Sequence, residues 1–539
     1  MSALTTLVAQ RVRRNRVTVT IWVASTGFLA FVAAIGVARE YGTDEDRESI
    51  LRLAVANPAI LLLRGLPQGA SLDQFIFFQI FTYLALMAGL MSTFLAVRHS
   101  RTEEETGRAE LIASTPAARR TPTTATLIHG IGANIALALL VAGAFMAAGL
   151  DAVGALLCGA AAGAAGVAYL TVGLLAAQLF RTSRAANSVS VAVVLSTFLL
   201  RGVGDALGTP GDDGLHMTSA WPSWLSPIGW GQHVDAFGTN TPLPLLLQLA
   251  LVIAVTAAVY ALQSSRDSGA SLIADSPGRL TAAPAFRSNL ALAWRLHRTS
   301  VIGWAIGGAA CGLFAGSLSS LVRQAADSTP AIGDTLSAIS GAGTTLDQAL
   351  ISIMFSIAGV LAAAAAIQSV IRLRQEEAGG TAELLLSTPL SRVRWFADFL
   401  VVAVVAVVAV LLSAASVAVV AVIATGSDSS LVGDVAGIAV AQLPAALLFL
   451  GALALVFVVA PAWTAGLGWS VLGLTFFVGV FGPLLGLPDA VTHISPFANS
   501  PVLIGDEPEW NGGFTMLAVA LAAVAASLVL MRRRALRST

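Results

Sequence analysis

Residues 109–116 read Ala-Glu-Leu-Ile-Ala-Ser-Thr-Pro, and residues 382–389 read Ala-Glu-Leu-Leu-Leu-Ser-Thr-Pro, an offset of 273. Just upstream, Glu103, Glu104 and Gly107 meet their counterparts Glu376, Glu377 and Gly380 at the same offset. Working outward, Leu72-Asp73-Gln74 matches Leu346-Asp347-Gln348 at 274, Ser226-Pro227 matches Ser495-Pro496 at 269, and Trp22 matches Trp304 at 282. The markers keep their order, and every offset lies near half of the 539 residues. An ordered set of this kind describes a duplicated chain with both copies in the same direction, a plan that transporters use.

What lies between the markers decides the class. The chain is 56% hydrophobic and only 11% charged, whereas a soluble domain carries roughly 25% charged residues. The apolar residues fall in runs long enough to cross a bilayer as helices. A helix satisfies its own backbone in lipid, and the alternating polarity of a membrane barrel is missing. Twelve spans are expected, roughly at 17–38, 75–97, 123–149, 152–180, 186–206, 243–263, 300–321, 348–370, 396–424, 434–459, 462–485 and 513–531. The fold is therefore read as an all-α polytopic membrane protein of about twelve transmembrane helices in two parallel six-helix repeats. The first repeat covers 1–263, a polar linker 264–286, and the second repeat 287–539.

Arginine placement orients the spans. The chain contains no lysine, so all 30 basic residues are arginine. With the N-terminus inside, 24 of them fall on the inner side; Arg39, Arg47, Arg52, Arg64, Arg201 and Arg323 are the exceptions. This bias predicts both termini in the cytoplasm. Net charge is zero, which gives no basis for nucleic-acid binding. Cys158 and Cys311 sit inside apolar runs and read as small packing residues. The first apolar run is long enough to remain in the membrane, so no cleaved leader is expected.

Catalytic chemistry is poorly supported. A phosphate-binding loop needs a lysine that reaches the phosphates, and none exists here. His99, His129, His216, His233, His297 and His493 are scattered, with no zinc-type spacing and no serine-hydrolase elbow, so no catalytic and no metal site is assigned. The repeated segment is the strongest site. Thr102 and Glu105 have the spacing of a helix-opening capping box, Glu103 and Glu104 suit a helix N-terminus, and Pro116 and Pro389 end the short helices. Two like helices on the inner face suit docking onto two like partner subunits. Within the spans, Arg201 and Asp205 stand four apart and read as a structural pair near the outer end of span 5.

The pattern Glu-Glu-x-x-Gly-x-Ala-Glu-Leu-Leu/Ile-x-Ser-Thr-Pro resembles the coupling segment of fused, two-repeat ABC exporter permeases. The polyketide-antibiotic (tetronasin-type) exporters of actinobacteria are the most similar set. Leu225-Ser226-Pro227-Ile228-Gly229-Trp230 resembles that family's stretch before span 6, and Arg266-Asp267-Ser268-Gly269 with Pro277-Gly278 resembles its linker. The resemblance implies a type-2 exporter fold in a bacterial cytoplasmic membrane. It implies two copies of a separate ABC ATPase, which carries the ATP and Mg; no cofactor belongs to this chain. The residues that would meet the ATPase are Glu103, Glu104, Gly107, Glu110 and Leu111, with Glu376, Glu377, Gly380, Glu383 and Leu384 in the second copy. That copy departs by Ala378 for Glu105 and Thr381 for Arg108, so the two segments need not be equivalent. The resemblance further implies inner-face helices at Leu7–Arg16 and Leu290–Arg298, and short capping helices in 207–242 and 484–512. A path for a hydrophobic small molecule would run along spans 2, 5, 8 and 11, with Phe78, Tyr83, Phe355 and Phe477 as its candidates. The expected function is the permease subunit of an ATP-driven exporter of hydrophobic or amphipathic compounds. The rivals are an ion-coupled secondary transporter, which would want acids at mid-span, and a non-transporting membrane assembly protein.

Overall fold

A computed structural model describes residues 2–56, 58–265, 281, 288–328, 346–424, 430–481, 494–501 and 510–535. It divides into two compact units, Met1–Pro277 and Gly278–Thr539. The expected linker 264–286 lies almost wholly outside the described residues, and so does most of the capping stretch 484–512.

Among the described residues, twelve helical segments are long and apolar enough to cross a membrane, six in each unit. This is the all-α polytopic membrane fold that the composition called for. In the first unit the spans are α1 (Ala3–Glu40), α4 (Leu72–Arg98), α7 (Thr121–Ala147), α8 (Ala152–Leu179), α9 (Ser183–Ala206) and α11 (Leu245–Ser265). Between them lie the short α2 (Asp44–Ala56), α3 (Pro58–Leu63), α5 (Arg101–Glu105), α6 (Arg108–Ala113) and α10 (Pro227–Gln232). A two-stranded ribbon, β1 (Thr209–Pro210) and β2 (Met217–Thr218), and a 3-10 turn at Trp221–Leu225 complete the unit.

The second unit spans with α12 (Asn289–Ser328), α13 (Leu346–Ala378), α15 (Arg392–Ala424), the pair α16 (Ser430–Ala441) and α17 (Leu443–Val459), α18 (Thr464–Phe481) and α19 (Asn511–Met531). The six-residue α14 (Thr381–Leu386) connects α13 to α15.

Burial follows the aromatic and small residues. In the first unit α4 is the most enclosed span, with Phe75, Phe77, Phe78 and Phe81 all at or below 2% exposure and packed against α8. In the second unit α12 and α15 lie closest together. Gly308, Gly312 and Gly316 fall on one face of α12, and a Cβ at any of them would press on the backbone of Val410, Ala414 or Ala418. Small residues let two backbones approach, which in lipid replaces the hydrophobic drive as the source of helix pairing. Ser413 Oγ adds a 2.7 Å bond across this seam to the Ala305 carbonyl.

The helices implied at Leu7–Arg16 and Leu290–Arg298 are not separate elements. Each is the first part of an unbroken helix, α1 of 38 residues and α12 of 40. No glycine or proline occurs between Leu7 and Gly27 or between Leu290 and Gly303 to break either one. At 1.5 Å per residue α1 is about 57 Å long, so it must extend well beyond a hydrocarbon core of about 30 Å.

The candidate coupling site

At the arginine-rich end of the first unit, α4 stops at Arg98 and the chain re-enters helix at Arg101. Gly107 takes φ 72°, the left-handed conformation that glycine adopts without strain, and starts α6. The second unit repeats this corner. Gly380 takes φ 74° and starts α14. In both, the N–H three residues on bonds the glycine carbonyl: Glu110 to Gly107 at 3.2 Å and Glu383 to Gly380 at 3.1 Å. The glycine is the hinge of a repeated foot, meaning the glycine corner together with its short helix.

Apart from the two glycines, the candidate residues divide into two sets. Glu110, Leu111, Glu383 and Leu384 are exposed, the leucines by 71% and 73%. The other carboxylates turn inward. Glu103 is 5% exposed. It pairs with Arg11 Nη2 at 3.3 Å and with Arg14, both from α1. Arg11 is itself buried and also donates to the Pro122 carbonyl, to Thr126 and to the His99 carbonyl at 3.1 Å. It therefore joins α1 to the end of α4 and the start of α7. Glu104 pairs with Arg101 at 2.6 Å, and Arg101 Nε reaches the Ala177 carbonyl in α8 at 3.0 Å.

The capping box at Thr102 and Glu105 does not form. Helix α5 already starts at Arg101, so Thr102 lies inside it and its carbonyl accepts the Thr106 hydroxyl at 2.8 Å. Glu105 accepts the Ser183 N–H at 2.8 Å and the Ser183 hydroxyl. It thus caps α9, whose N-terminus favours a carboxylate, and not its own helix. The signal for this long-range cap is absent from local spacing.

In the second unit the same job is done differently. Helix α13 runs unbroken through Ala378, with no counterpart of the break at His99-Ser100. Glu376 pairs with Arg372 at 2.5 Å and accepts the Thr381 hydroxyl at 2.5 Å. Glu377 faces Arg374 at 3.6 Å and Arg534 at 2.6 Å. Thr381, which stands where the first copy has Arg108, thus ties the start of α14 back to the end of α13. Arg11, Arg14 and Arg534 are ion-pair partners of the candidate residues that the sequence pattern did not single out, because they lie far away in the chain.

The path candidates occupy varied settings. Phe78 is buried in a cluster with Leu51, Ala54 and Phe75. Tyr83 is half-buried, 6.4 Å from the ring of Phe198. Phe355 is fully buried in the core of the second unit, and Phe477 is half exposed.

At the opposite end of the first unit, the Arg201–Asp205 pair is part of a larger node. Both residues are 0% exposed, with Nη1 2.8 Å from Oδ2. Gln232 of α10 donates to both Asp205 oxygens, at 3.0 and 2.9 Å. Arg201 Nη2 donates to the Leu62 carbonyl at 2.8 Å, and the Leu66 N–H bonds Gln232 Oε1 at 3.2 Å. The node ties α3 and α10 to the end of α9. Beside it, His233 stacks on Trp224 with centroids 4.1 Å apart. Burial pulls its imidazole down to about 4, so this ring is neutral at pH 7.

Two comparisons bear on this geometry. Residues 286–532 match the family described as the multidrug efflux system permease Rv1217c, C-terminal domain. Over 97% of its length the chain is 32% identical to the multidrug efflux system permease protein Rv1217c of Mycobacterium tuberculosis (strain ATCC 25618 / H37Rv), covering 94% of that protein.

Proposed function

The chain belongs to this family of multidrug efflux permeases, and from that membership we propose that it is the membrane subunit of an exporter driven by a separate ATPase. Two copies of that ATPase, carrying the ATP and Mg, dock on the two feet. The arginine-rich end is the cytoplasmic one, both termini lie there, and the membrane is the bacterial cytoplasmic membrane. The cargo is a hydrophobic or amphipathic compound of the antibiotic class, as in the polyketide exporters that the coupling segment resembles.

One observation carries the reading. The same glycine corner occurs once in each unit and presents an exposed glutamate and an exposed leucine, while the neighbouring carboxylates are spent on internal ion pairs. A connecting loop needs none of this. A docking surface needs a rigid support and an apolar side chain for a partner to cover. The absence of lysine supports placing hydrolysis on another subunit.

The test uses Glu110→Arg and Glu383→Arg, each combined with aspartate at the adjacent leucine. Burying a leucine contributes about 1.5–3 kcal/mol. Each double variant should therefore lose about 10- to 100-fold in affinity for the ATPase that co-purifies with the wild type. Drug resistance of cells expressing both subunits should fall in parallel, at unchanged permease level. Wild-type resistance and co-purification in both variants would end the docking reading.

A further inference from the structure

We propose that Arg534 is a positioning residue for the second foot; the proposal rests on the coupling reading above. Arg534 lies just after α19 and grips the foot on both sides. On the side before α14, its Nη2 sits 2.6 and 2.8 Å from the two oxygens of Glu377, whose side chain is 1% exposed. On the side after α14, Arg392 Nη1 donates to the Arg534 carbonyl at 2.7 Å. The guanidinium also lies over the ring of Phe457 in α17, 4.6 Å from its centroid. One residue thus closes the chain between Glu377 and Arg392, the stretch that contains Glu383 and Leu384.

The chemistry suits arginine specifically. A planar guanidinium can contact a carboxylate and an aromatic face at once, whereas a lysine ammonium is a single point charge. Merely linking α13 to α15 requires no such clasp. Fixing where the exposed leucine stands does require one, because α14 has only six residues and buries Ala382 alone among its side chains. The partners of Arg534 are Glu377, Arg392 and Phe457, which support the foot, so it acts through the foot and not on the reaction.

The experiment uses the full chain in lipid vesicles with the ATPase that co-purifies with the wild type. Two quantities are read: the rate of trypsin cleavage at Arg392 and Arg394, and the factor by which the permease stimulates ATP hydrolysis. Arg534→Ala removes the side-chain half of the clasp, loosens the chain end that holds Arg392, and should speed cleavage and lower stimulation, each about ten-fold, since Glu377 keeps Arg374 as a partner. Arg534→Lys should fall between it and the wild type. Wild-type membrane yield and helix content in Arg534→Ala exclude simple misfolding as the cause. Faster cleavage with unchanged stimulation would overturn the positioning role. Unchanged cleavage and stimulation in Arg534→Ala, with the Glu383→Arg and Leu384→Asp double variant still lowering stimulation, would overturn the clasp and leave the docking reading standing. Unchanged stimulation in that double variant and in its counterpart at the first foot would remove the docking reading, and this proposal with it.

Discussion

Arg201→Met should leave little folded permease in the membrane. The substitution keeps an unbranched apolar stem but leaves the charge of Asp205, which has no exposure to water, without a cation and with Gln232 as a neutral donor. Removing one partner of a buried pair costs about 3–5 kcal/mol, because the remaining charge stays desolvated. The Leu62 carbonyl near the end of α3 loses its donor as well, and a helix end buried without partners is costly. The measurable outcome is a fall of several-fold or more in membrane-inserted protein, and early melting of whatever survives in detergent. The double variant Arg201→Met with Asp205→Leu should recover much of the loss, since a well-packed apolar pair is often as stable as the ion pair that it replaces. A single variant as stable as the wild type would show that Gln232 alone suffices to hold Asp205.

Gly312→Leu should be comparably damaging in the second unit. A Cβ at Gly312 would overlap the Ala414 carbonyl, and the obstacle is backbone, which cannot rotate aside. Overpacking a core costs typically about 1–3 kcal/mol, and a contact against backbone falls at the upper end. The expected result is a separated α12–α15 seam, seen as low yield and easy proteolysis at either helix. Gly303→Leu is the control: it lies on the same helix, is exposed, and has nothing within 4 Å of its would-be Cβ. Equal yields of the two variants would mean that α12 and α15 do not pair through this face.

The spans were legible because each is a long apolar run whose helicity lipid enforces. The feet were legible because duplication printed the same residues twice. Their supports were not. Arg11 and Arg14 sit 92 and 89 residues from Glu103, and Arg534 sits 157 from Glu377. No local periodicity connects such partners. Glu103, Glu104, Glu376 and Glu377 were read as surface acids like Glu110, since a carboxylate on a short helix looks the same whichever way it points. The Arg201–Asp205 pair was readable from its spacing of four, but Gln232, which completes it, comes from a separate element.

The two feet differ in how they would carry a load. The first is jointed at His99-Ser100 and bolted to three neighbours: to α1 through Glu103, to α8 through Arg101 and to α9 through Glu105. A push on Leu111 is therefore shared sideways among several spans. The second foot adjoins the 33-residue α13 without a joint, so a push on Leu384 travels along one rod. On the docking proposal, identical strokes of the two ATPase copies would then do unlike mechanical work on the two halves. Hydrogen exchange would register this when ATP is added to the permease with the ATPase that co-purifies with it. Protection should spread from residues 101–105 into 176–186 in the first unit, and stay confined to 372–386 and 532–535 in the second. The same spread in both would mean that the joint carries no mechanical weight.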